Sequence, residues 1–208
     1  MKRKLYVVLL AVLAASTFAA CGQSFQASVS TVYITEKGTV IGADIEDFNE
    51  KYYDEEELKN YITESVDSYV ASNGDGSVEL ESFEINTSKK QGSIAKLYLN
   101  YASYIDYAQF NDVELYAGST LQAKERGYDF EQSFQKVDDD KLSGSVDAKE
   151  ITKEDSNIVV IGQEITVKVD GKIQYVSDGN VKLDGKDTVS VSFDKDNGAG
   201  QLAYIIYK

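Results

Sequence analysis

Three serines are followed by lysine three positions on: Ser93/Lys96, Ser133/Lys136 and Ser192/Lys195. In such a pair the lysine amine can take the serine proton, which is nucleophile-and-base chemistry for acyl transfer. Chance alone gives ~2 such matches at this Ser and Lys content, and no S-D-N or K-T-G partner accompanies them. Ser93/Lys96 and Ser192/Lys195 also fall in alternating stretches, where residues three apart point to opposite faces. Oxygen ligands for Ca²⁺ are offered by Asn73-Gly74-Asp75-Gly76-Ser77 with Glu79. Taking Gly76 as the central glycine, however, puts Ala71 and Ser82 where an EF-hand needs carboxylates, so a helix cap and turn is expected. Asp138-Asp139-Asp140 and Asp194/Asp196/Asn197 read as solvated loops. Gly198-Ala199-Gly200-Gln201-Leu202-Ala203 matches G-x-G-x-x-A, but it precedes a strand rather than opening a helix, which makes it a glycine-rich turn. Paired carboxylates could serve a glycosidase; among 35 acidic residues no particular pair stands out.

Composition narrows the chemistry further. The 208 residues include no His, no Pro, no Trp and one Cys. That excludes histidine-based triads, imidazole ligands and an internal disulfide, and leaves oxygen as the ligand for any metal. No cofactor is expected. The formal charge is −14, and the longest basic run after the N-terminus is Lys89-Lys90, which argues against nucleic acid. An apolar content of 42% with 15 Tyr and 8 Phe is enough for a packed core.

The elements that must position these residues follow from periodicity. Ser30–Thr35 and Val40–Phe48 alternate on either side of Glu36-Lys37-Gly38-Thr39 and predict a hairpin. Asp54 with Glu57 marks a helix start. Leu58, Tyr61, Ile62, Ser65, Val66, Tyr69 and Val70 then form one helical stripe, and Asn73-Gly74 ends it. Tyr53 and Leu58 occupy hydrophobic-staple positions. Val78–Asn86 changes parity between Leu80 and Phe83, which calls for a bulge near Ser82. Ile94–Tyr101 predicts the next strand. Ser103 with Asp106 starts a short helix over Tyr104–Phe110, Val113–Tyr116 is a short strand, and Ser119 with Gln122 starts a second short helix closed by Gly127. Residues 135–157 read as an exposed connection with at most one short element. Beyond Asn157 the pattern is all β, with Asp170-Gly171 and Asp184-Gly185 as hairpin turns. Leu202-Ala203-Tyr204-Ile205-Ile206-Tyr207 is apolar on both parities, as in a central strand covered on both faces.

The N-terminus reads as an address. Lys2, Arg3 and Lys4 precede the apolar run Leu5–Leu13, which is too short to span a bilayer, and small residues follow from Ala14 to Ala20. This is a secretory signal peptide. The segment Phe18-Ala19-Ala20-Cys21-Gly22 resembles a bacterial lipobox, with Phe18 where Leu is most usual. The resemblance implies cleavage before Cys21, a diacylglyceryl thioether and acylation (palmitate-type chains) on that residue, and hence anchoring at the outer face of the cell membrane. Two acyl chains anchor stably where one is marginal. Loss of residues 1–20 removes three positive charges and leaves 18 basic against 35 acidic residues, a formal charge of −17. The spacing of Tyr52-Tyr53, the acidic helix and the terminal Tyr-Ile-Ile-Tyr is similar to small uncharacterised lipoproteins of Gram-positive gut bacteria.

Together these readings predict an α+β fold: a mainly antiparallel sheet, one long amphipathic helix, two short helices and a β-rich C-terminal part. The expected organisation is a signal peptide over 1–20, a tether over 21–29 reaching at most ~30 Å, and one domain over 30–208, with a sub-division near 135–157 as the alternative. The expected role is a non-enzymatic, lipid-anchored module that binds an envelope protein. A glycan- or Ca²⁺-binding surface lipoprotein is the alternative, with a carboxylate hydrolase ranked last. Tyr33, Tyr98 and Tyr116 point opposite the aliphatic faces of their strands. Burial under helices is the ordinary fate of such rings, and a partner- or glycan-contacting face is the functional one.

Overall fold

The computed structural model describes residues 25–90, 92–194 and 200–208. The expected signal peptide and lipobox with Cys21, together with Lys195, Asp196, Asn197 and Gly198-Ala199, lie outside the described residues. In chain order the elements are β1 Thr31–Ile34, β2 Val40–Asp47, α1 Glu55–Asn73, β3 Val78–Ser88, β4 Gly92–Tyr101, α2 Tyr104–Asn111 and β5 Leu115–Ser119. They continue with α3 Thr120–Glu125, β6 Phe134–Asp138, β7 Lys141–Val146, α4 Ala148–Ile151, β8 Asn157–Ile161 and β9 Thr166–Val169. The last are β10 Ile173–Ser177, β11 Val181–Leu183, β12 Thr188–Val191 and β13 Ala203–Tyr207. The described residues thus form an α+β fold with two mostly antiparallel sheets.

Sheet A runs β11-β12-β9-β1-β2-β4-β3 and sheet B runs β5-β8-β13-β10-β6-β7. The first hairpin pairs as alternation predicted, Ile34 opposite Val40. On its other edge β1 joins β9 in parallel, Val32 opposite Val167. The β3–β4 ladder shifts register between Leu80 and Ser82, where the parity change placed a bulge.

Inner residues of both sheets meet in one core. Val32, Val40, Leu99, Val167 and Val189 of sheet A pack with Val159, Ile161, Ile173 and Ile205 of sheet B. The other face of sheet B carries Tyr116, Ile158, Val160, Tyr204 and Ile206, covered by Ala123 of α3, Ile151 of α4 and Phe130. Strand β13 lies between β8 and β10 and is buried along its whole length, as its double-parity apolar pattern requires.

Helix starts follow local capping chemistry. Asp54 accepts from the Glu57 N–H (2.9 Å), Ser103 from Asp106 (3.3 Å) and Ser119 from Gln122 (3.2 Å). The Asn73–Ser77 segment is a cap and turn: Gly74, at φ 102°, donates its N–H to Val70 O (2.8 Å).

Two expectations need correction. Residues 135–157 are not an irregular connection: β6 and β7 form a hairpin, and β6 is tied into sheet B by β10. Asp139 and Asp140, both in the left-handed region (φ 48° and 57°), make its turn. Asp170-Gly171 is not a hairpin turn either. It carries the chain from β9 in sheet A to β10 in sheet B, and only Asp184-Gly185 closes a hairpin, β11 with β12.

Candidate functional site

The inner face of sheet A extends past sheet B at β4 and β3, and there α1 and α2 cover it instead. A cleft of about 780 Å³ opens between the two helices, floored by Leu97 and Leu99. Ile62 and Val66 of α1 are buried, while Tyr61 is 68% exposed at the rim. Tyr61 belongs to the helical stripe by spacing, yet α1 lies over the margin of the sheet and has too little beneath it to bury the full stripe. Tyr53 stacks on Phe48 with ring centroids 5.0 Å apart, and Tyr52 meets it edge-on at 5.0 Å. Exposed aromatic surface therefore continues from the cleft rim past the start of α1.

The α2 wall is held by a hydrogen-bonded aromatic cluster. Tyr69 Oη donates to Gln109 Oε1 (3.1 Å), and its ring meets Phe110 edge-on at 5.4 Å. Asn111 Nδ2 donates to Tyr101 Oη (3.2 Å) and to Tyr107 O (2.9 Å). Tyr107 Oη donates to Gln163 Oε1 (3.0 Å). The Tyr101 and Tyr107 rings lie against Gly42, where a Cβ would come within 3.1 Å of Tyr101 Cε2. A side chain there would force the Tyr101 ring to give way by a few tenths of an ångström.

The lining is hydroxyl, amide and aromatic: Ser65, Ser68, Ser72, Asn73, Gln109 and Asn111 beside Tyr61, Tyr69 and Phe110. Glu64 is the one carboxylate in it. Such a surface can stack rings and exchange hydrogen bonds, and it pairs no nucleophile with a base. Among the described residues, no group of three or more acidic side chains is placed to hold a metal ion.

Asp44 stands two residues beyond Gly42 on the same face of β2. One side of it stays open to water, but partial burial and then the neighbouring Glu46 push its carboxyl above the usual carboxylate range. A carboxylate whose folded value is raised stabilises the fold below the unfolded value, and that contribution is lost as pH rises through the folded one. Asp44→Asn is therefore expected to raise the urea midpoint at pH 7 relative to the parent, with the gap closing toward pH 3. A gap that widens on acidification would contradict this.

The three tyrosines singled out by parity do not make one exposed face. Tyr98 and Tyr116 are 4% and 2% exposed. Tyr116 packs in the helix-covered layer of sheet B, 5.3 Å from both Tyr104 and Tyr128, with the Arg126 guanidinium 5.5 Å from its ring. Tyr33 and Tyr98 do come together on the outer face of sheet A, under Phe25: the ring distances are 5.1 and 6.4 Å. Tyr33, half-buried, also donates to Asp170 (3.3 Å). On β4, Ser93 bonds Thr87 across the strands (2.9 Å), and Lys96 points to the other face.

Fold and cleft together define a two-sheet α+β domain with a helix-walled groove that holds one carboxylate, Glu64. The chain matches no protein-family profile, no curated protein and no solved structure. No helix among the described residues is long and apolar enough to cross a membrane.

Proposed function

We propose that the protein is a lipid-anchored, extracytoplasmic, non-enzymatic binding module of the cell envelope that engages an envelope protein through the α1–α2 cleft. The long amphipathic α1 supplies one wall and the short α2 the other. The observation that carries this reading is the cleft lining, rich in aromatic, hydroxyl and amide groups with one carboxylate. The N-terminal basic run, apolar segment and Cys21 support placement on the outer face of the membrane.

Anchoring is tested with Cys21→Ala, which should leave the precursor unlipidated and move it from the detergent phase to the aqueous phase. Unchanged partitioning would sink the anchor. Binding is tested in the full chain with a photo-crosslinking residue in place of Tyr61, and the same residue in place of Lys141 on β7 as control. One reproducible protein adduct from the cleft position alone is expected. Equal adducts from both positions, or none from either, would count against the cleft.

A glycan is the second reading, favoured by the exposed ring of Tyr61 on a cleft that the Gln109 and Asn111 amides also line. Its mark would be a rise in melting temperature with cell-wall fragments, since a ligand of the folded state stabilises it.

A further inference from the structure

The first described residues are not a free tether. Phe25 packs on Tyr33 and Tyr98, the Ala27 N–H donates to Tyr98 Oη (3.1 Å), and Tyr98 Oη donates to Ala27 O (3.4 Å). These contacts hold residues 25–27 on the outer face of sheet A. Only residues 22–24 separate them from Cys21 in the sequence. Four extended steps put the Cys21 Cα at most about 14 Å from that of Phe25, half the reach expected of an open tether. The cleft lies on the opposite side of the same sheet, because Leu97 and Leu99 face it while Tyr98 faces Phe25. Helix α1 with its cap carries Asp54, Glu55, Glu56, Glu57, Glu64 and Asp67 against Lys59 alone, whereas around Tyr33 on the outer face Glu36, Asp170 and Asp187 stand with Lys168, which pairs with Asp187.

We propose that Phe25–Ala27 is a strap that seats the outer face of sheet A, around Tyr33, toward the phospholipid headgroups and turns the α1–α2 cleft away from them. This rests on the lipid anchor proposed above. The short lead sets the near face, and repulsion between α1 and an anionic bilayer favours the same orientation.

The chain has no Trp, so a single introduced one is an unambiguous reporter. Full-length lipidated Tyr33→Trp and Tyr61→Trp proteins would be reconstituted in phosphatidylcholine–phosphatidylglycerol vesicles carrying a dansyl headgroup. Because a sheet and a helix layer add ~20 Å, energy transfer to dansyl should be about threefold greater for Tyr33→Trp. Inserting a Gly/Ser spacer of about 20 residues between Gly22 and Gln23 should keep both proteins on the vesicles and bring their transfer together. Equal transfer without the spacer, or more from Tyr61→Trp, would overturn the orientation. Each reporter is also made with Cys21→Ala. Flotation of those proteins with vesicles would instead fail the anchor, leaving the two failures distinguishable. Matching thermal melts with the parent protein establish that both reporters are folded.

Discussion

Removal of residues 202–208 should leave a chain that no longer melts cooperatively. The deletion takes out β13, the strand that joins β8 to β10, and so divides sheet B into two fragments. It also strips both cores at once, because Ile205 and Tyr207 face sheet A while Tyr204 and Ile206 face the helices. Each large apolar side chain contributes ~1.5–3 kcal/mol on burial. Four of them together rival the ~5–15 kcal/mol that holds a whole domain folded. Circular dichroism melts and gel filtration test this directly, and a monomeric truncated protein with a sharp transition would refute it.

Phe134→Ala should be the most damaging single change among the aromatic residues. Phe134 is fully buried, 6.3 Å from the stacked ring of Phe130 and 6.0 Å from Tyr204 edge-on. The three rings join β6, β13 and the segment before β6 beneath α3 and α4. Truncation leaves a cavity that neighbours in two layers cannot close, at an expected cost of ~3–5 kcal/mol. In urea unfolding the midpoint should fall with little change in slope. Leu121→Ala, at a residue 57% exposed on α3, is the matched control and should cost under ~0.5 kcal/mol. A loss at Phe134 no larger than the control would mean that the helices are not packed on sheet B through these rings.

What was legible in the sequence was local. The caps at Asp54, Ser103 and Ser119 could be read because a side chain and a backbone N–H three residues on decide them. The bulge beside Ser82 could be read because parity reverses within one strand. The burial of β13 was visible in five consecutive apolar positions. What escaped depends on distant partners. The parallel union of β1 with β9 joins residues 135 apart, Val32 with Val167, and no turn announces it. The chemistry of Asp170-Gly171 specifies a sharp reversal but not which sheet receives the next strand. Strand β7 is exposed on both faces over Lys141–Ser145 and so has no apolar period to detect.

The cleft was hidden for a related reason. Tyr61 keeps step with Ile62 and Val66, and spacing alone assigns it to the core. Its exposure is decided by how far α1 overhangs the sheet, a tertiary quantity. Tyr98 and Tyr116 meet the ordinary fate of such rings: alternation placed them away from the aliphatic faces, and the N-terminal strap and the small aromatic layer cover them.

The position of β13 also governs timing. It is delivered after both strands it joins, and until it arrives the β5–β8 pair has no ladder to β10, β6 and β7. Pairing of this long range is slow, because loop closure must precede the contacts that reward it. A polypeptide emerging amino end first would therefore remain pliable until residues 203–207 are released. Under the export proposed above, that ordering would keep the polypeptide threadable until β13 has crossed, and β13 would act as the latch.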